Sequence, residues 1–290
     1  MVNQNDLSLE YALKSLDGLS VGDAFGELFF RHSPFESTFD NLPKTPWEWT
    51  DDTHMALSIV EILRTHRHIE QDELASAFAR RYKQNPNRGY AGGAHRILGK
   101  VAKGVDWRTV SPTLFGSGSF GNGGGMRAAP IGGFFYNDLD ETAKQAELSA
   151  EITHSHIEGK AGAIAVAVAA AIAANRPFPT GNDFLRAVIP FIPDGITKSR
   201  TEEATEIPSD ALIDAMKRLG SGEKVSAQDT VPFCLWSACH HLGNFEAALW
   251  NTAKGLGDVD TTCAIVGGIV ALSVPEIPQT WINRREPLDL

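Results

Sequence analysis

Cysteine is scarce in this 290-residue chain, which has only Cys234, Cys239 and Cys263. Three cysteines cannot build a disulfide framework. No two of them stand in a C-x-x-C spacing, so zinc ribbons and thioredoxin-type dithiols are excluded. Such usage predicts a reducing, cytoplasmic compartment. Basic residues are outnumbered: 26 Lys and Arg face 36 Asp and Glu, a formal charge of −10. An acidic surface repels a phosphate backbone, which argues against broad nucleic-acid binding but not against a small anionic ligand. Long hydrophobic runs are missing as well. The longest, Ala161 to Ala174, falls short of the roughly 20 residues that span a bilayer, so no membrane partner is expected. The opening MVNQNDLSLE has neither the basic nor the apolar region of a secretory signal. Fixed-period repeats, charge blocks and Ser/Pro linkers are absent, so residues 1–290 are expected to form a single domain. With 42% hydrophobic and 21% charged residues, the chain reads as globular rather than disordered or fibrous.

What is present reads as helix. Met55, Ala56, Ile59, Val60 and Leu63 recur at helical spacing, as do Leu74, Ala75, Phe78, Ala79 and Tyr82. Residues 161–174 are apolar all round, the pattern of a helix buried on every side. Residues 262–272 look similar, although their β-branched content also permits a strand. No succession of βαβ units is visible. The expectation is an all-α fold, a compact orthogonal helical domain with functional loops between helices. Two segments read as soft, Arg31 to Trp47 with its prolines and Asp194 to Asp210 with its charges and turn residues.

Two motifs open predicted helices: Thr50-Asp51-Asp52-Thr53 and Gly257-Asp258-Val259-Asp260-Thr261-Thr262. Helix capping accounts for either one alone. Together they offer paired carboxylates with adjacent hydroxyls, flanked by Gly and Trp rather than by the Lys and Glu of a solvated face. Asp and Thr oxygens are hard ligands, suited to Mg²⁺, Mn²⁺ or Ca²⁺. Four carboxylates brought together would repel unless cations lay between them, so a two-metal site is expected if the loops meet.

A third motif, Phe115 to Arg127, contains a formal G-x-G-x-x-G at Gly116, Gly118 and Gly121. A dinucleotide fold is rejected. The residues before it do not read as a buried strand, and further glycines with Pro130 prevent the long helix such a turn requires. No Gly-Lys-Ser/Thr follows, so it is no Walker loop. What remains is a glycine-rich run whose backbone N–H groups can approach an anion, or a plain flexible loop. Arg88 to Ala94 is a weaker set of the same kind. Thr153-His154-Ser155-His156 stands before the alanine-rich helix as a helix entry, and Cys239-His240-His241 lacks the spaced partners of a soft-metal site.

In this order, Gly22-Asp23-Ala24-Phe25-Gly26, Thr50 to Thr53, Arg88-Gly89-Tyr90, Gly121-Asn122-Gly123 to Met126-Arg127, Thr153-His154 and Gly257 to Thr262 resemble the ADP-ribosylglycohydrolase family, over nearly the whole chain. The resemblance implies an all-α fold that hydrolyses the glycosidic bond between ADP-ribose and an acceptor, with ADP-ribose or an ADP-ribosylated substrate as partner. It also implies a binuclear Mg²⁺ or Mn²⁺ site. Thr50, Asp51 and Asp52 would hold the metals from one side, and Asp258, Asp260 and Thr261 from the other, with Asp260 bridging. Ser119, Gly121, Asn122 and Gly123 would cradle the diphosphate, with Phe120 beside the nucleotide and His154 near the phosphates or ribose. Gly92 and Gly93 would admit the distal ribose. A metal-bound carboxylate, Asp51 or Asp52, or else Glu27, would steer water to the anomeric carbon. One position departs: the family's glutamate seven residues after Asp23 is Phe30 here, and Glu27 is the nearest carboxylate. A two-metal hydrolase of another nucleotide and a non-catalytic ADP-ribose binder remain as alternatives.

Overall fold

Each helical periodicity in the sequence is realised in the computed structural model, which describes residues 4–289. Four helices come first: α1 (Gln4–Glu27), α2 (Asp51–His66), α3 (Gln71–Gln84) and α4 (Gly92–Val101). Short α5 (Trp107–Val110) and α6 (Ala129–Phe134) flank the glycine-rich loop. Next come α7 (Leu139–Glu151), α8 (Ile157–Ala174), α9 (Asn182–Val188), α10 (Ile196–Ala204) and α11 (Leu212–Leu219). The last group is α12 (Ala227–His241), α13 (Phe245–Ala253), α14 (Val259–Ser273) and α15 (Gln279–Ile282). Among the described residues there is no strand, only isolated bridges from Trp47 to Arg285 and from Gly121 to Ser226. Residues 262–272, open to either reading in sequence, are helix α14.

The feature that positions the site is the close packing of α1 on α14. Gly18, Gly22 and Gly26 recur one turn apart on α1. The space a Cβ would need at each is filled by the α14 carbonyls of Gly267, Cys263 and Val259. Any side chain there would push the helices apart, so glycine is what lets the end of α1 lie beside the start of α14. Asp23 and Glu27 thereby come alongside Asp258 and Asp260. Helix α8, 18 residues long, is apolar enough by length and composition to cross a membrane, but 89% of it is buried inside the protein. It is four residues longer than the apolar run because Ile157 to Lys160 supply its first turn. Buried side chains from Ala12 to Trp281 form one core cluster.

Both segments expected to be soft are pinned. Trp47 is buried and paired to the C-terminal segment: its N–H donates to the Arg284 carbonyl (2.6 Å), and Glu286 N–H donates to the Trp47 carbonyl (2.7 Å). Most of residues 194–210 is α10, whose buried face is Thr197, Thr201 and Ala204. The Glu158 carboxylate of α8 accepts from Ile196 N–H (2.6 Å), Thr197 N–H (2.9 Å) and the Thr197 hydroxyl (2.6 Å). That carboxylate does the work of an N-cap from another helix. A buried face of Thr and Ala gives no hydrophobic periodicity, which is why the helix was illegible in sequence.

Candidate active site

The two acidic loops meet. Thr50 is the N-cap of α2 with Asp51 and Asp52 in its first turn; Asp258 is the N-cap of α14 with Asp260 in its first turn. Carboxylate oxygens of Asp23, Asp52 and Asp260 lie within 4.8 Å of one another. Burial, then the charges of Asp23, Asp260, Asp51 and Asp258, holds the Asp52 carboxyl well above the usual range. Burial and then Asp258 and Asp23 do the same to Asp260. Asp51 is pushed up to about 7, by burial first and the Asp23 charge next, and Asp258 is also raised, chiefly by burial. Helix N-termini favour anions, but two partial positive charges cannot offset this many carboxylates.

Hydrogen bonding separates the members of the cluster. Asp23 is fully buried and both its oxygens are engaged. They accept from Thr50 N–H (3.0 and 3.1 Å), the Thr50 hydroxyl (2.8 Å), Thr53 N–H (3.0 Å) and the Thr53 hydroxyl (2.5 Å). Asp23 therefore caps α2 from α1, while the Thr50 side chain makes no cap of its own. Asp52 Oδ1 and Asp260 Oδ1 are buried with no partner at all. Orphaned anionic oxygens at a helix-end cluster are what a cation site presents before its ion, and the hard oxygen set fits Mg²⁺ or Mn²⁺. Sequence reasoning quoted Asp23 without giving it a role. Its signal was an Asp inside the apolar helical stretch Leu19, Val21, Ala24, Phe25.

The cluster forms one end of a cavity of about 630 Å³. Asp51, Asp258, Asp260 and Thr261 line that end; Gly92, Gly93, Ser119, Phe120, Gly121, Asn122, Gly123 and His154 line the rest. Thr50 and Asp52 stand behind the wall. Glu27 is off the cavity wall, half-buried at the end of α1; its pKa is raised by burial and then by the charges of Asp23 and Glu48, against Arg31. Its neighbour Gly26 packs against Asp260, whose Cα lies 2.6 Å from the Gly26 Cβ position, which places Glu27 near the cluster. Phe30, in the family's glutamate slot, is 52% exposed.

Asn122 joins the two ends: its Nδ2 donates to Asp258 Oδ2 (2.6 Å) and to the Thr230 hydroxyl (3.1 Å). Arg88 is fixed by a bidentate pair with Glu286 (2.7 Å on each arm) and stacks 3.7 Å over Trp49. That sets Gly89, at φ +93°, against Asp51 Oδ1, where a Cβ would come to 3.1 Å. One expectation changes. Gly123 and Gly93 were expected to serve a ligand, yet each also makes room for a neighbouring ring: a Cβ on Gly123 would come to 2.8 Å from His154, and one on Gly93 to 3.1 Å from Phe115. Gly92 has nothing within 4 Å of its Cβ position. Sequence reasoning also missed Val225, a β-branched residue at φ +49° on the cavity wall, whose type carries no signal. His240 and His241 stay outside any metal-ligand group among the described residues.

Comparison with known proteins identifies the family and the fold. The model of the family described as ADP-ribosylglycohydrolase matches residues 4–289. ADP-ribosylhydrolase ARH3 of Gallus gallus is 28% identical over 80% of this chain and 72% of its own. ADP-ribosylarginine hydrolase Tri1 of Pseudomonas putida is 25% identical over 96% of this chain and 74% of its own. A solved structure titled ADP-ribosylglycohydrolase-related protein complex superposes with a TM-score of 0.67 at 22% identity, over 97% of this chain and 94% of that one. That likeness shows the same fold.

Proposed function

Because the chain belongs to the ADP-ribosylglycohydrolase family, whose members hydrolyse ADP-ribose linkages, we propose that it cleaves the glycosidic bond between ADP-ribose and an acceptor in a reaction that depends on two divalent cations. The observation that carries this reading is the pair of buried, unpartnered oxygens, Asp52 Oδ1 and Asp260 Oδ1, beside a cavity whose other end is a glycine cradle. Thr50, Asp51 and Asp52 would hold Mg²⁺ or Mn²⁺ from α2, and Asp258, Asp260 and Thr261 from α14. Cations there supply positive charge and Lewis acidity toward ribose hydroxyls and water.

The chain's own groups do the rest. Backbone N–H groups at Asn122 and Gly123 bind the diphosphate with the Ser119 hydroxyl, which accepts from Gly121 N–H (3.2 Å) and keeps its own proton to donate, and Phe120 packs against the nucleotide. Gly92, whose Cβ position is open, leaves room for the distal ribose near Asp51, whereas the space beside Gly93 is taken by the Phe115 ring. Asp51 on the cavity wall, or Glu27 half-buried at the end of α1, would take the proton of the attacking water and return it to the departing acceptor group. A −10 protein binds a doubly anionic substrate this way because backbone donors and cations, rather than surface charge, meet the phosphates.

The test is hydrolysis of ADP-ribosyl-arginine, ADP-ribosyl-serine and free nucleotides after chelation, with and without added Mg²⁺ or Mn²⁺. Release of ADP-ribose from at least one conjugate, abolished by chelation and restored by metal, is expected. Turnover that ignores chelation, or tight ADP-ribose binding with no turnover on any conjugate, would overturn it. The relatives bear names of both general and arginine-specific hydrolases, so the panel also identifies the acceptor.

A further inference from the structure

Beneath the glycine cradle lies a single buried cation. Arg127 is fully buried: Nη1 donates to the Gly123 carbonyl (2.8 Å), and Nη2 to the Ser149 carbonyl (3.1 Å) and the Thr153 hydroxyl (2.8 Å). Burial lowers its pKa to about 9, so it remains a cation at neutral pH. By drawing the Gly123 carbonyl inward, Arg127 keeps that oxygen from facing an anion in the cavity.

The Thr153 hydroxyl has two partners, Arg127 Nη2 and His154 Nδ1, each at 2.8 Å. A guanidinium can only donate, so the Thr153 oxygen accepts from Arg127. The hydroxyl's one proton has no other acceptor in reach among the described residues, and Thr153 is buried, so leaving that proton unmatched is costly. It therefore goes to His154 Nδ1. A neutral imidazole that accepts at Nδ1 carries its proton on Nε2. His154 is kept neutral by burial first and the Arg127 charge second, which pull its pKa down to about 3. Its Nε2 lies against the cradle: Cβ atoms on Gly123 and Gly121 would sit 3.0 and 3.2 Å from it. All three residues line the cavity.

We propose that Thr153 is a positioning residue: the relay Arg127–Thr153–His154 fixes the imidazole with its proton on Nε2 and presents that N–H as a neutral donor to an oxyanion of the substrate's diphosphate. The target rests on the ADP-ribose reading above; the tautomer does not.

Two measurements test it. In ¹⁵N spectra of histidine-labelled, ligand-free enzyme, His154 should show a bare Nδ1 and a protonated Nε2, unchanged from about pH 5 to about pH 9. Thr153→Val should raise KM, and the ADP-ribose Kd measured by calorimetry, about 10-fold with kcat within about 2-fold, as loss of a binding interaction does. Thr153→Ser, which keeps the hydroxyl, should restore both. A protonated Nδ1 in the wild type, or wild-type KM in Thr153→Val, overturns the relay. Should Thr153→Val fail to fold, the wild-type spectrum and Thr153→Ser still decide. The expected tautomer in a protein that does not bind ADP-ribose would overturn the donor's target together with the functional reading, leaving the relay standing.

Discussion

The two ends of the cavity meet opposite electrostatic demands. At one end Asp23, Asp51, Asp52, Asp258 and Asp260 crowd together, and every one has a raised pKa. At the other, no acid lies between Phe115 and Arg127, and the buried guanidinium of Arg127 sits under the loop. The acidic end is ordered by the fold but leaves the buried oxygens Asp52 Oδ1 and Asp260 Oδ1 without partners. Asn122 spans the ends, so the cradle is registered to Asp258 by a hydrogen bond rather than by loop length alone. On the proposed function, a site built this way would separate its tasks: metal affinity in carboxylates on helix N-termini, and anion affinity in backbone and a buried cation. Mutations should divide the same way.

The largest effect is expected at the acidic end. Asp260→Asn removes the charge of a residue with an orphaned oxygen and should lower kcat by at least roughly 10²–10³-fold, the range for losing a principal electrostatic group. It should also cost at least one ion, with the fold intact because Asp260 lies in the first turn of α14 rather than in its apolar body. Elemental analysis counting two ions in a folded mutant would remove Asp260 from the bridging position. Glu27→Gln follows, with kcat lowered by about 10²-fold, the lower part of the range for general acid–base groups. Metal content and ADP-ribose affinity should barely move. Near-wild-type turnover would show that the aspartates suffice and that Phe30 is a silent loss.

At the cradle, two glycines sharpen the contrast. Gly92→Val adds a side chain where nothing lies within 4 Å, so the melting temperature should hold while ADP-ribose affinity falls. Gly123→Val should lose both, since its Cβ would meet the His154 ring at 2.8 Å. A drop of about 10-fold or more in affinity is expected for each, the loss of one good contact. Equal melting losses in the two variants would mean that the cavity wall at Gly92 is part of the packed structure.

How much of this was legible follows from how the chemistry is written in the chain. A cation site needs specific residue types, and the candidates here fall in contiguous runs, so Thr50 to Asp52 and Asp258 to Thr261 could be read before the loops were known to meet. The glycine run was legible for the same reason. Asp23 was not, because its partners Thr50 and Thr53 lie on another helix and only the packing of α1 supplies them. The Arg127–Thr153–His154 relay is likewise spread over two loops, and its logic lies in where one hydroxyl proton can go. Helix α10 was hidden by a buried face of Thr and Ala, and Phe115 and Val225 by backbone at positive φ that their residue types do not announce.

The smallest effect is the most direct reading of the acidic end. A carboxylate whose pKa is higher in the folded than in the unfolded state binds extra protons on folding. Its contribution is fully present below the unfolded value, 3.8 for Asp, and is lost as pH rises through the folded value, about 7 for Asp51. Metal-free protein should therefore lose melting temperature, by a few degrees, between about pH 5 and about pH 8. Divalent cations require the ionised carboxylates, so Mn²⁺ should bind more tightly and raise the melting temperature more at the upper end of that window than at the lower. The glycine end supplies the control: His154, its pKa lowered to about 3 by burial, stays neutral throughout, so the hydrogen bond proposed from it to ADP-ribose should not change across the window. Scanning calorimetry of chelated protein, with and without Mn²⁺, measures both slopes. A metal-free melting temperature that rises over this window would mean that the cluster's carboxylates ionise without cations, and the case for a metal-shaped acidic end would lose its electrostatic half.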